Sequence, residues 1–206
     1  MSAPKGGTVQ LTSSGNQQAL ELPEDTDIII DLNGNTLTSV GPFVGSEGTQ
    51  TNAFRFLANS NITIKNGTLK CIAPGAAILI QNFANLTLDN VTLKGKSFYQ
   101  YLLSNNFGNV ILKNGTTING NSNCVPFDCH YGLSAEYDEG LSVTVEDASV
   151  KINGTIEYTK EDRITDVNQF YQKAHVYIAR DCNIAAPEGY EFVDMAEGNM
   201  KELKPV

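Results

Sequence analysis

Apolar and polar residues alternate in short bursts along this chain, and three of the bursts are copies of one another. Asn61-Ile62-Thr63-Ile64-Lys65-Asn66-Gly67-Thr68-Leu69, Asn85-Leu86-Thr87-Leu88-Asp89-Asn90-Val91-Thr92-Leu93 and Asn109-Val110-Ile111-Leu112-Lys113-Asn114-Gly115-Thr116-Thr117 superpose at a spacing of 24 residues. Apolar-x-apolar alternation is the period of a strand with one buried face. A fixed repeat of about 20 to 50 residues marks a solenoid. Strands this short cannot bury a face alone. Stacked about 4.8 Å apart, each bonds to the strands above and below while the inward side chains merge into one core. The alignment predicts two interior columns, Ile62/Leu86/Val110 and Ile64/Leu88/Leu112.

The same phase continues outward if the turns accept insertions. Ile30 and Leu32 fall one period earlier, Val143 and Val145 one later, and Val176 and Ile178 after those. Along the second column, Leu32, Ile64, Leu88, Leu112, Val145 and Ile178 lie 32, 24, 24, 33 and 33 residues apart. The middle periods are therefore minimal, and the outer ones carry insertions near 40–52, 120–131 and 155–174. Each period supplies three strands, as in Phe54 to Phe56, Ile62 to Ile64 and Leu69 to Cys71.

Asn61, Asn85 and Asn109 share one turn position, and Asn66, Asn90 and Asn114 share the next. Asn tolerates the left-handed backbone that tight turns require, and its amide can bond to the same amide one strand away. These six residues form the expected structural ladder, with at least one column facing inward. Phe83 and Phe107 share a phase and are expected to stack.

At the ends, residues 1–26 read as short capping strands that lead into the first period, and residues 186–206 as a closing cap and tail with a strand or hairpin near Tyr190 to Met195. Between Thr159 and Lys173, Ile164, Val167 and Phe170 or Tyr171 recur at helical spacing behind the acidic pair Glu161 and Asp162. That segment is expected to form one short helix.

The 206 residues carry a formal net charge of −9, and the 14 Lys and Arg form no run, so a nucleic-acid groove is not expected. No apolar stretch is long enough to cross a membrane. The first residues lack the apolar core of a secretion signal, so synthesis in a cytosol is expected. The six N-x-S/T sequons accordingly read as turn Asn followed by strand Thr. Cys71, Cys124, Cys129 and Cys182 are too scattered for a disulfide framework, and Cys71 and Cys182 read as core residues. Cys124, Asp128, Cys129 and His130 invite a zinc reading but lack a second ligand pair. No cofactor or metal is expected.

Gly6-Gly7-Thr8-Val9-Gln10-Leu11, Leu20-Glu21-Leu22-Pro23 and Ile28-Ile29-Ile30-Asp31-Leu32-Asn33-Gly34-Asn35-Thr36-Leu37, followed by the Asn-Ile-Thr-Ile-Lys-Asn-Gly-Thr repeats, resemble the right-handed parallel β-helices of the pectate-lyase-like superfamily. The likeness covers about residues 6 to 185. It implies an all-β fold, a right-handed parallel β-helix of about six coils over 27–185 with three strands per coil. More narrowly, the chain looks like the virion fibre or head-fibre proteins of tailed bacteriophages, in which such β-helices associate as trimers. This fold hosts lyases, hydrolases, adhesins and viral spikes, so activity must be read from residues.

An enzyme of this fold needs clustered carboxylates or a calcium site with a base. The middle repeats offer almost no acids. The densest acidic stretch holds Glu136, Asp138 and Glu139, with Glu146 and Asp147 following. Glu136, Asp138 and Glu139 are the weak catalytic candidates, weighed against a solvated turn.

The leading expectation is a non-catalytic structural virion protein, a homotrimeric head fibre, capsid decoration or tail-fibre component. Its expected partners are other virion proteins and a host-surface glycan. Phe98, Tyr99, Tyr101, Phe170 and Tyr171 are the candidate subunit-interface residues. The alternatives are a polysaccharide lyase or hydrolase, such as a capsule depolymerase, and a bacterial surface adhesin module.

Overall fold

The computed structural model describes residues 5–95, 100–121, 123–132 and 140–206. The alternating segments form strands almost throughout. The first third contains β1 (Gly7–Gln10), β2 (Gly15–Gln17), β3 (Leu20–Leu22), β4 (Asp27–Asp31), β5 (Thr36–Ser39), β6 (Asn52–Phe56) and β7 (Asn61–Cys71). The middle holds β8 (Ile78–Asn82), β9 (Asn85–Lys94), β10 (Tyr101–Asn105), β11 (Asn109–Lys113), β12 (Thr117–Asn119) and β13 (Val125–Tyr131). There follow β14 (Leu141–Val145), β15 (Lys151–Asn153), β16 (Glu157–Lys160), α1 (Val167–Lys173), β17 (Ala174–Ala179), β18 (Tyr190–Asp194) and β19 (Met200–Pro205).

Two largely parallel sheets result, and neither closes on itself. The longer runs β1-β4-β7-β9-β11-β14-β17, all parallel, and ends in the antiparallel strands β19 and β18. The second halves of β7 and β9 branch from it, carrying β5 and β2 on one side and β12 and β15 on the other. The smaller sheet is β3-β6-β8-β10-β13-β16, parallel throughout.

The two aliphatic columns stand in register. Ile62, Leu86 and Val110 are successive partners, as are Ile64, Leu88 and Leu112. Both columns continue through Val143 and Val176 and through Val145 and Ile178. All ten side chains are at most 2% exposed. The smaller sheet adds a facing column of Phe54, Ile80, Leu103 and Phe127. Phe83 and Phe107 stack with ring centroids 6.3 Å apart and planes at 17°.

Four expectations are corrected or extended. The partners of Ile62 and Ile64 are Ile28 and Ile30, not Ile30 and Leu32. Leu32 instead lies fully buried in the following turn, against Gly67, where a Cβ would come within 2.5 Å of Leu32 Cβ and 2.4 Å of the Asn35 carbonyl oxygen. The alternating run Ile28-Ile29-Ile30-Asp31-Leu32 permits either register, and the turn decides between them.

Second, the opening strands do more than lead in: β1, β2 and β3 pair in register with β4, β5 and β6, adding a seventh parallel strand to the long sheet. Third, the helix spans only Val167–Lys173, because Glu157–Lys160 is drawn into the small sheet beside β13. Asp166 caps the helix by accepting from the Asn168 N–H. Fourth, the strand expected near Tyr190 to Met195 is β18, and the tail after it forms a further strand. β19 pairs with both β17 and β18, and Leu203 is buried.

Candidate functional site

The turn that joins the two halves of each repeat is built on residues that accept positive φ: Asn33 (51°), Asn66 (57°), Asn90 (57°) and Asn114 (53°). Keeping one backbone shape at every turn brings the Asn side chains into line. Asn90 Nδ2 donates to Asn66 Oδ1 at 3.3 Å, and Asn66 Nδ2 to Asp31 Oδ1 at 3.2 Å. Asn114 leaves the series and donates to Asp89 at 2.8 Å. Beside this turn lies an open polar groove of about 460 Å³ bordered by Asn33, Asn66, Thr68, Asn90 and Thr92.

The other Asn column is continuous. Asn85 Nδ2 donates to Asn61 Oδ1 at 3.2 Å, Asn109 Nδ2 to Asn85 Oδ1 at 3.1 Å, and the Ser142 hydroxyl to Asn109 Oδ1 at 2.9 Å. Neither column faces the core as expected. Asn61, Asn85, Asn109, Asn90 and Asn114 are exposed, and Asn66 is half-buried. Water can replace each such bond, so Asn85→Ala is expected to lower stability by about 1 kcal/mol or less, measured by urea unfolding. At the far edge of this sheet face, Asp31, Lys65, Asp89 and Lys113 alternate in sign as successive partners.

The inward Asn ladder is a different pair. Asn82 and Asn105 are fully buried partners, and Asn82 Nδ2 donates to Asn105 Oδ1 at 3.0 Å and to the Ala84 carbonyl at 2.9 Å. Asn105 Nδ2 donates to the carbonyls of Gly108 (2.8 Å) and Ser142 (3.1 Å). The two lie 23 residues apart, so a search at 24 passes over them. The in-phase Phe83 and Phe107 pair was the signal that this turn is shared. Gly108 is required there, since a Cβ would sit 2.2 Å from the Ala84 carbonyl oxygen and 2.3 Å from Asn82 Nδ2. Gly108→Ala is therefore expected to cost about 2–3 kcal/mol in a urea melt, as other overpacked sites do.

The chemistry-bearing cluster lies on the other face of the smaller sheet. There Glu21, Arg55, Gln81, Ser104, Asp128 and Glu157 are successive partners on six strands. Arg55 is paired with Glu21 at 2.9 Å and lies 5.6 Å from the Phe83 ring centroid. Asp128 is only 4% exposed, although it stands on this polar face. It accepts from the Asn105 N–H at 3.1 Å. Burial pushes its carboxyl up to about 7, and the adjacent Glu157 carboxylate adds to the rise against the hydrogen bonds from Ser104 and Asn105.

Glu157 accepts from the Tyr101 hydroxyl at 2.8 Å, and burial together with that bond raises the Tyr101 phenol well above its ordinary value. Two residues further along β13 and β16, His130 Nδ1 lies 2.9 Å from Thr159 Oγ1. Burial lowers the His130 imidazole, opposed by Glu161, Asp162 and Glu157. A cleft of about 390 Å³, bordered by Gly120, Asn121, Val125, Gly154 and Thr155, reaches Glu157. A carboxyl that keeps its proton near neutrality beside a second carboxylate is the pairing that general acid–base chemistry uses.

Sequence reasoning missed this cluster because Asp128 and Glu157 are 29 residues apart and meet only through strand pairing. Glu136, Asp138 and Glu139 lie outside the described residues, as do Phe98 and Tyr99. Tyr101 is half-buried and bonded to Glu157. Phe170, expected at a subunit interface, is 2% exposed within the chain's own core, with its ring centroid 4.5 Å from that of Tyr158. Tyr171 joins the same ring cluster. Cys124 and Cys129 are buried thiols, the first raised to about 11 by burial. Among the described residues no three His, Cys, Asp or Glu side chains converge on a metal position. Comparison with known protein families, with curated proteins and with solved structures gives no match.

Proposed function

We propose that this chain is a non-catalytic structural protein of a bacteriophage particle, a fibre or decoration component built as a right-handed parallel β-helix with three strands per coil. The observation that carries the reading is the unbroken parallel register from Val9 through Ile30, Ile64, Leu88, Leu112 and Val145 to Ile178. One column that long makes a stiff rod, since every coil is held by the backbone bonds of its neighbours. The outer face of short Asn and Thr side chains and alternating charges suits repeated weak contacts with neighbouring particle proteins or a host-surface glycan. Mass spectrometry and immunogold labelling of phage particles induced from the source organism test the reading. The chain should co-purify with intact particles, and its absence from them counts decisively against this role.

A second reading, a carbohydrate-active enzyme, is favoured by one observation: the buried Asp128 carboxyl beside Glu157 and the Tyr101 hydroxyl. Reducing-sugar release from bacterial capsular polysaccharide, lost in Glu157→Gln, would establish it. No release from a broad panel of polysaccharides would remove it.

A further inference from the structure

The long sheet has two free edges, and the chain treats them differently. At one end β17 is covered by the antiparallel strands β19 and β18, with the rings of Tyr158, Phe170, Tyr171 and Tyr190 gathered beside them. At the other end, among the described residues, β1, β2 and β3 are hydrogen-bonded to strands on one side only. They frame an apolar mouth of about 390 Å³ lined by Val9, Leu11, Leu20, Leu22, Ile28 and Leu37, all incompletely buried.

Exposed strand edges in soluble proteins are normally guarded by charge, proline or a bulge. Here none of the fifteen residues from Gly6 to Leu20 is charged, and none is proline. Charge at this end gathers at one corner, where Glu21 of β3 pairs with Arg55 and Pro23, Glu24 and Asp25 follow, so in a chain of net charge −9 the β1–β2 rim is the part that does not repel a second copy. The opposite edge strand, β18, carries Glu191 and Asp194, both exposed.

We propose that the β1–β3 end is the docking surface for a second copy of this chain, joined end to end about a two-fold axis. β1 pairs antiparallel with β1 of its partner, and the two apolar mouths close on one another. A two-fold contact uses the same uncharged β1–β2 rim twice and stops at two copies. Head-to-tail stacking would instead set β1 against the acidic β18 and would not close. The inference rests on the structural-rod reading and names the assembly surface of that rod. A contact confined to one coil belongs to the small, weak class of interfaces below about 1,200 Å², so micromolar dissociation is expected.

Sedimentation equilibrium and small-angle scattering of the full chain, from about 1 to 100 µM, test this. The expected particle has twice the 22.3 kDa chain mass and nearly twice the monomer's maximum dimension. The double variant Thr8→Lys/Asn16→Lys places charge on two exposed edge positions. It should weaken association at least tenfold while melting like the wild-type monomer. Thr87→Lys, in the same outward column as Thr8 but mid-sheet, should leave association unchanged. A wild-type chain that stays monomeric at the highest concentration overturns the proposal. So does a double variant that associates as tightly as wild type. A side-by-side trimer no longer than one rod also overturns it, yet leaves the particle role standing.

Discussion

Leu88→Asp yields no folded protein at 25 °C: far-ultraviolet circular dichroism shows no β-sheet signal, and the chain is found in the insoluble fraction. Leu88 is 0% exposed and stands between Ile64 and Leu112 in the interior column. Removing the leucine forfeits about 2–3 kcal/mol of apolar burial. The carboxylate that replaces it finds aliphatic neighbours in its own column and must be desolvated or protonated, adding several kcal/mol more. Domains of this size are stable by only about 5–15 kcal/mol, so the sum consumes most or all of the margin. Leu88→Ala is the matched control. It leaves a cavity worth about 2–5 kcal/mol but no buried charge, and should give a soluble protein with a lowered urea midpoint. Wild-type melting of Leu88→Asp would show that the column is not interior.

Asp128→Asn acts in the opposite direction. Its effect depends on pH. In the folded chain the Asp128 carboxyl titrates at about 7, whereas in an unfolded chain it titrates near its ordinary value of 3.8. Below that ordinary value both states hold the proton, and the folded state bears no penalty. Between the two values the unfolded chain ionises while the folded chain does not, so stability falls as pH rises and levels off above about 7. A separation of roughly three units corresponds to about 4 kcal/mol lost by pH 8. An asparagine cannot ionise and keeps an oxygen to accept from the Asn105 N–H. Urea melts of the two proteins at pH 4, 6 and 8 should therefore coincide near pH 4 and diverge toward pH 8, with the variant the more stable. Subtracting the two profiles cancels the carboxylates held low in both proteins, Asp31, Asp147 and Glu202. Parallel profiles at all three pH values would show that Asp128 ionises normally.

The two predictions draw on different levels of the molecule. Leu88 was legible in sequence because it recurs with Ile64 and Leu112 at a fixed interval, and a repeat that preserves side-chain phase places equivalent residues in one column. The left-handed turns at Asn66, Asn90 and Asn114 were legible for the same reason. Asp128 was not. Its strand bears no visible repeat, its burial depends on neighbours brought by pairing, and its partner Glu157 arrives on a strand that the sequence assigned to an insertion. The slip at Leu32 and the exposed position of the Asn columns have a related cause. Spacing shows which residues share a phase, but not which side of the turn that phase faces.

The amino-acid order alone determined the strand period, the 24-residue interval, the aliphatic columns and the Asn turns, because each is a local pattern copied at constant distance. Tertiary structure alone decided the register of β1–β3 on the following strands, the place of β19 between β17 and β18, and the gathering of Asp128, Glu157 and Tyr101 on one face. Those features arise from hydrogen bonds and desolvation between segments of unequal spacing, and only the folded backbone brings such segments together.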